Sequence, residues 1–334
     1  MLRRRRAIAV AVVVLAVTAS GVGVTYAAFS KTTSNPSNGV TARPDWLAPA
    51  VGSTTIAKTP GYIAGYVKRS GSYRLYADVS DPASNPAAGI SSVVADPSAI
   101  TASQTSVALT ATGGPWSVEG VSYNYRSAVL TADPAVSAGT KSWSLVATDA
   151  AAPTANSTNA TGLTGTVDVT TPTATGLAGA NKTGGVQSRL EIGDTLTLTT
   201  SERVDPESIL SGWTGAQTNV TVQIADGGGP SNDFLTVWNS ANTSQLPLGS
   251  VNLGRKDYFN GDTTYGAPAA ATRSTMTQSG TTITITLGTL GATTAGTSGA
   301  AANMTWTPTA TAYDRAGLAL STTPFVETDN DRDF

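Results

Sequence analysis

The sequence predicts an all-β protein, two tandem β-sandwiches behind an N-terminal signal peptide. Three observations carry that expectation. Apolar and polar residues alternate with a period of two in several short runs, the pattern of half-buried strands. Thr and Ser together make up about a quarter of the 334 residues, and Thr suits strands while Ser suits turns. The chain opens on a basic stretch and a short apolar run, the make-up of an export segment.

In that segment Arg3–Arg6 precede the apolar run Ala7–Val17, and Ser20, Gly21 and Gly23 lead on to Ala27 and Ala28. A membrane span needs about 20 apolar residues, so no permanent span is expected. The expected course is export, removal of residues 1–28 by a signal peptidase, and a secreted protein that stays in the medium or associates with the cell surface; the alternative is an uncleaved N-terminal anchor. Without Arg3–Arg6, Lys+Arg falls from 20 to 16 against 22 Asp+Glu, a net charge near −6. That balance offers no electrostatic footprint for nucleic acid. Val24–Ser30, followed by Thr32–Asn35 and Asn38–Ala42, resembles the start of bacterial secreted proteins of the TasA and camelysin type. The resemblance spans about the first forty residues and implies export. The Gly-Thr-Leu-Asp-Leu segment usual in those proteins is absent, and Arg43-Pro44-Asp45-Trp46 stands in its place.

Residues 29–61 read as an extended N-terminal segment. From Tyr62 alternation begins: Tyr73, Leu75, Ala77 and Val79 point one way, and Ser72, Arg74, Tyr76 and Asp78 the other. Val107, Leu109 and Ala111 repeat the pattern, as do Trp143, Leu145 and Ala147. Asp81-Pro82, Asn85-Pro86, Gly113-Gly114-Pro115 and Ala138-Gly139 punctuate the runs as turns. A first sandwich over 62–152 follows. Residues 153–171, poor in large apolar side chains, read as a Thr/Ala-rich linker.

A second, larger sandwich is expected over 172–325. Leu196 and Leu198, then Val220, Val222 and Ile224, then Ile283, Ile285 and Leu287 alternate with polar residues, and Trp306 adds a core position. An insertion around 226–275 is long enough to hide a hairpin, which Phe234–Trp238 suggests. One short helix is expected, with Asp205 as N-cap, Pro206 at N1, and Glu207–Leu210 behind them. Residues 326–334 read as a solvated acidic tail holding Asp329, Asp331 and Asp333.

Four segments carry a second resemblance, to bacterial Ig-like domains. Residues 194–210 resemble the second strand and following turn of the SbsA-type Ig-like domain, with Arg203 where a proline is common. Tyr313–Ala319 resembles the closing Asp-x-Ala-Gly-Asn motif, with Leu318 in place of Asn. Ala147–Ala151 resembles a more degraded form of the same closing strand in the first domain, and Asp168–Pro172 resembles the joint between tandem repeats. The resemblance implies two Ig-like sandwiches and a binding or structural role.

The chain has no Cys and no His, which excludes disulfides, a thiolate nucleophile, a Ser-His pair and a His or Cys zinc site. Glu191 with Asp194, or Glu202 with Asp205, could in principle act as acid and base on a glycoside. No cleft or pKa-raising surround is specified, so no enzyme activity is expected. Asp78, Asp81, Asp96 and Asp149 fall at strand ends and turns where a structural calcium ion finds oxygen ligands. Ordinary turn chemistry explains the same residues. No other cofactor is expected. Tyr258, Phe259 and Tyr265 lie in the insertion and are candidates for contact with a partner or glycan. The expected function is structural or adhesive, in envelope or extracellular-matrix assembly, with protein or glycan components of those layers as partners. The alternative is a carbohydrate-binding module. N-terminal sequencing of secreted material should find Ala28 or Phe29 as the first residue, and a mature form retaining Arg3–Arg6 would refute it.

Overall fold

The computed structural model describes residues 45–61, 63–82, 87–227, 231–291, 294–297, 300–329 and 332–334. The export segment, and residues 29–44 behind it, lie outside the described residues. The protein is all-β, with 45% of the described residues in strands and 1% helical.

The first eleven strands are β1 (Ala50–Lys58), β2 (Tyr66–Lys68), β3 (Ser72–Ser80), β4 (Ile90–Asp96), β5 (Val107–Thr110), β6 (Trp116–Val118), β7 (Val121–Tyr123), β8 (Tyr125–Ser127), β9 (Leu130–Thr131), β10 (Gly139–Asp149) and β11 (Ser157–Asp168). Nine of them form one sheet in the order β1-β3-β8-β5-β4-β10-β11-β2, with β9 beside β3. Neighbours run antiparallel, except that β2 runs parallel to β11, Tyr66 opposite Thr166. The sheet comes round on itself. Gly65 N–H donates to Ile56 C=O at 2.7 Å, and Ala57 bridges Ala64, so the approach to β2 meets β1. The curl encloses Ile56, Tyr73, Leu75, Ile100, Trp143, Leu145 and Val167. Edge strands that meet in this way leave fewer unpaired backbone groups to recruit another chain.

Two sequence expectations need correcting here. Part of the segment read as an extended N-terminal stretch is β1, paired with β3 from Ala50–Ser80 to Lys58–Tyr73. Most of the segment read as a linker is β11, paired with β10 over nearly its whole length. Large apolar residues are scarce in β11 because most of the strand is exposed or half-buried, and one of its few buried positions has no room for a side chain. A Cβ on Gly165 would lie 2.0 Å from Ile56 Cδ1, so only glycine lets the strand cross that side chain. Tyr76 also differs from expectation. It sits on the outer face of β3 yet is buried, packed on Tyr123 at 5.7 Å between ring centroids under the β6–β7 hairpin.

The second sheet uses β12 (Ala174–Ala180), β13 (Thr195–Thr200), β14 (Thr218–Ala225), β15 (Phe234–Asn239), β16 (Ser250–Asn252), β17 (Thr263–Tyr265), β18 (Ser274–Ser279), β19 (Thr282–Thr286), β20 (Thr305–Thr307) and β21 (Phe325–Val326). They run antiparallel in the order β12-β13-β19-β18-β14-β15-β16-β20-β21, with β17 beside β14. The insertion is thus part of the sheet, and β15 pairs with β14 as the hairpin reading expects. Its core holds Leu196, Leu198, Val220, Val222, Ile224, Tyr265, Ile283, Ile285 and Trp306. The acidic tail also departs from expectation. Asp333 and Phe334 are buried, and Phe334 packs into this core. A Cβ on Gly179 of β12 would meet Phe334 Cζ at 3.1 Å and Asp333 Oδ1 at 3.0 Å, so a small residue there lets the segment close on the sheet. Asp331 lies outside the described residues.

The helix α1 (Pro206–Ile209) is a single turn. Asp205 caps it, its Oδ1 accepting from Glu207 N–H at 3.1 Å, and Pro206 occupies N1 as expected. Along β13, Leu198 is 2% exposed while Thr197 faces the other side and is half-buried. Leu198→Asp is expected to cost several kcal/mol, because it buries a charge without a partner. Thr197→Asp should cost far less. Equal melting temperatures for the two variants would show the register to be wrong.

Candidate functional site

Of the four segments read as similar to Ig-like motifs, three come together in space, and Ala147–Ala151 stands apart with Asp149 beside Asp45 and Asp81. Asp168 ends β11, Glu202 and Asp205 follow β13, and Asp314 and Arg315 stand in a turn before Leu318. Across this seam Lys58 from β1 makes an ion pair with Asp205, both side chains nearly or fully buried. Arg203 Nη1 binds Glu119 Oε1 at 2.8 Å, and Glu119 Oε2 accepts Ala64 N–H at 3.2 Å. The guanidinium of Arg315 lies over the Tyr66 ring at 4.0 Å and stands 3.5 Å from both Asp168 and Glu202. The seam is therefore polar, and each of these cations crosses from one sheet system to residues of the other.

The turn around Asp314 has a clear local cause. Oδ1 accepts three backbone N–H groups, from Ala316 at 2.9 Å, Gly317 at 2.7 Å and Leu318 at 2.7 Å. Gly317 has φ +97°, a conformation that favours glycine. Burial, foremost, holds the Asp314 carboxyl above the usual carboxylate range, against those three bonds. Burial and then the neighbouring Asp168 do the same to Glu202.

Of the four aspartates expected at a calcium site, two come together. Carboxylate oxygens of Asp81 and Asp149 lie within 4.8 Å of each other and of Asp45. Gly89 N–H donates to Asp81 at 2.6 Å, and Ala88 N–H to Asp45 at 2.8 Å. Asp149 is fully buried. Burial opposes its ionisation, but hydrogen bonds from Asn156 and Ala151 outweigh that and hold its carboxyl below the usual range. Asp78 and Asp96 do not join them. Asp78 points outward from β3. Asp96 pairs with Ser144, whereas Asp149 pairs with Ile90 at the other end of β4, about 20 Å away at strand rise. Asp45 gave no sequence signal, because it stands in a segment with no periodicity.

The aromatic candidates are corrected outright. Tyr258, Phe259 and Tyr265 are all buried in the second core. Phe259 and Tyr265 meet edge to face at 6.1 Å, and Tyr265 donates its hydroxyl to Leu190 C=O at 2.7 Å. Buried Asp233 accepts N–H from both Tyr258 and Phe259 at 3.2 Å, turning that loop inward. No rings of this set are left to meet a glycan or partner.

The carboxylate pairs considered for acid–base work hold turns and ion pairs. Asp194 accepts from Lys182 N–H at 2.9 Å and Glu191 N–H at 2.6 Å. Glu191 accepts from Val186 N–H and lies near Lys182 and Arg189. Glu202 and Asp205 face different cations, Arg315 and Lys58. Two surface depressions, of about 250 Å³ beside Trp213 and about 490 Å³ between Gln223 and Thr264, are not lined by paired carboxylates. No protein-family model, curated protein or solved structure matches this chain.

Asp205→Ala removes the helix cap and strands Lys58 in the seam. It should cost about 3–5 kcal/mol in denaturant unfolding, as breaking a buried pair does. Adding Lys58→Met should recover part of the loss, and strictly additive single-mutant costs would refute the pairing. A second expectation concerns pH. Burial, foremost, raises the Asp233 carboxyl above the usual range. The folded chain then holds that proton more tightly than the unfolded one. The group's contribution is complete below an unfolded pKa of about 3.9 and is lost as pH rises through the folded value. The fall in melting temperature from about pH 4 to pH 7 should be shallower in Asp233→Asn, and identical slopes would count against it.

Proposed function

We propose that this is a secreted or cell-surface structural protein, built of tandem Ig-like domains, acting in adhesion or in envelope or extracellular-matrix assembly. The observation that carries the reading is the seam. Lys58 with Asp205, Arg203 with Glu119, and Arg315 with Asp168 and Glu202 join two separate apolar cores into one body. Such a joint suits a part that passes load or spacing from one end to the other, and needs no recessed substrate site. The basic and apolar N-terminal run supports export through a signal peptidase. A fold alone does not specify function, so the support is the seam and the leader taken together. The glycan-binding alternative loses its motive with the burial of Tyr258, Phe259 and Tyr265.

Antibody raised against residues 45–334 should label intact cells of the producing bacterium or bind protein in their medium. Cells lacking the gene should show weaker surface attachment or matrix cohesion. Protein confined to the cytoplasm with Arg3–Arg6 still attached would overturn the reading.

A further inference from the structure

The outer face of the second sheet carries a surface that none of the sites above uses. β13, β19 and β18 lie side by side, and their inward positions are core residues such as Leu196, Ile285 and Met276. Of their nine outward positions, eight are Thr and one is Ser279. The row Thr195–Thr286–Thr275 and the next row, Thr197–Thr284–Thr277, are Thr across all three strands. These six side chains are partly exposed. Thr199 and Thr282 share a hydroxyl contact at 3.5 Å, whereas the hydroxyls of these six bond to no protein group among the described residues.

Strand propensity does not account for this uniformity, because Val, Ile and Tyr suit a strand as well as Thr does. Exposed protein faces also ordinarily mix in charge, and these rows hold none. They continue at low profile onto β12, where Gly176, Ala178 and Ala180 stand opposite Thr199, Thr197 and Thr195. The backbone spaces the Thr side chains regularly in two directions, about 4.8 Å between strands and about 6.8 Å between alternate residues along a strand. Each is β-branched, so its methyl and hydroxyl are held in few orientations. The result is a lattice of apolar and hydrogen-bonding points on a rigid backing. Oxygen atoms on the prism faces of ice repeat at closely similar spacings in two directions at right angles. Neither surface depression described above includes the array, and it offers no aromatic ring for a sugar and no charge for an ion.

We propose that the Thr face of β13, β19 and β18 binds ice. Water held between the methyl groups and bonded to the hydroxyls takes up the spacing of the array, and that ordered layer joins the crystal. The ligand is the surface of solid water, and the contact needs no cofactor and no second copy of the chain. The medium or the cell surface is where such a face meets ice, but the binding itself does not depend on export.

The test freezes a dilute solution of the purified protein slowly onto a cooled surface and compares the protein in the ice with that left in the liquid. Incorporation into the ice is expected, with faceted crystals and slowed recrystallisation, whereas an inert control protein is pushed into the liquid. Thr284→Lys sets a long charged side chain at the centre of the array. It should abolish incorporation while keeping the all-β circular-dichroism spectrum. Thr277→Lys, on the neighbouring strand, should do the same, so the result stands if one of the two variants fails to fold. Thr161→Lys, at an exposed position of β11 in the first sheet, makes the same change of charge and should leave incorporation unchanged. The proposal is overturned if the wild-type protein is excluded from ice as the control is. It is equally overturned if a folded Thr284→Lys or Thr277→Lys enters the ice as the wild type does.

Discussion

The ion pair of Lys58 and Asp205 satisfies two constraints at once. Lys58 closes β1 of the first sheet, and Asp205 caps the only turn of helix among the described residues in the second. Neither charge is tolerable buried alone, so each sheet system supplies what the other needs. The pair also explains the backbone around it. A Cβ on Gly61 would lie 2.5 Å from Lys58 Nζ and 3.0 Å from Asp205 Oδ2, so the chain can pass only without a side chain. Gly317, on the far side, lets the Lys58 stem run within 3.3 Å of its own Cβ position. The ion pairs of Arg203 and Arg315 lie along the same seam.

A chain with no cysteine must hold its sheets without disulfides, by packing, hydrogen bonds and ion pairs. Both sheets answer by bringing their ends together. In the first, the approach to β2 bonds to β1; in the second, Ser321 N–H donates to Pro172 C=O at 2.9 Å and Phe334 lies against β12. Threonine serves this design well. The facing rows on β13 and β19, Thr195 with Thr286, Thr197 with Thr284 and Thr199 with Thr282, cover the outside of a sheet whose inside is Leu196, Leu198, Ile283 and Ile285.

Much of this was readable from periodicity. Strands with large inward residues, such as β3, β10, β13, β14 and β19, announce themselves, and so does the Asp205-Pro206 helix start. What escaped was held together by features that leave no local pattern. β11 has few apolar residues because most of it is exposed or half-buried, and Gly165 is fixed by Ile56, more than a hundred positions earlier. The Tyr258–Tyr265 loop looks like an exposed aromatic loop until Asp233 is seen to accept its backbone amides. The seam was half visible. Its three motifs could be picked out along the chain, but their meeting with Lys58, Tyr66 and Glu119 is a fact of tertiary packing.

The parallel pairing of β2 with β11 sets a timetable for the chain. Tyr66 finds its strand partner only at Thr166, and contacts so distant in sequence are slow to form. A polypeptide emerging N-terminus first, from a ribosome or a translocation channel, therefore carries β1 and β2 for a hundred residues before the first sheet can close. Lys58 waits longer still, until Asp205 has appeared. Through that interval the apolar face of β1 and β3 is open to unwanted association.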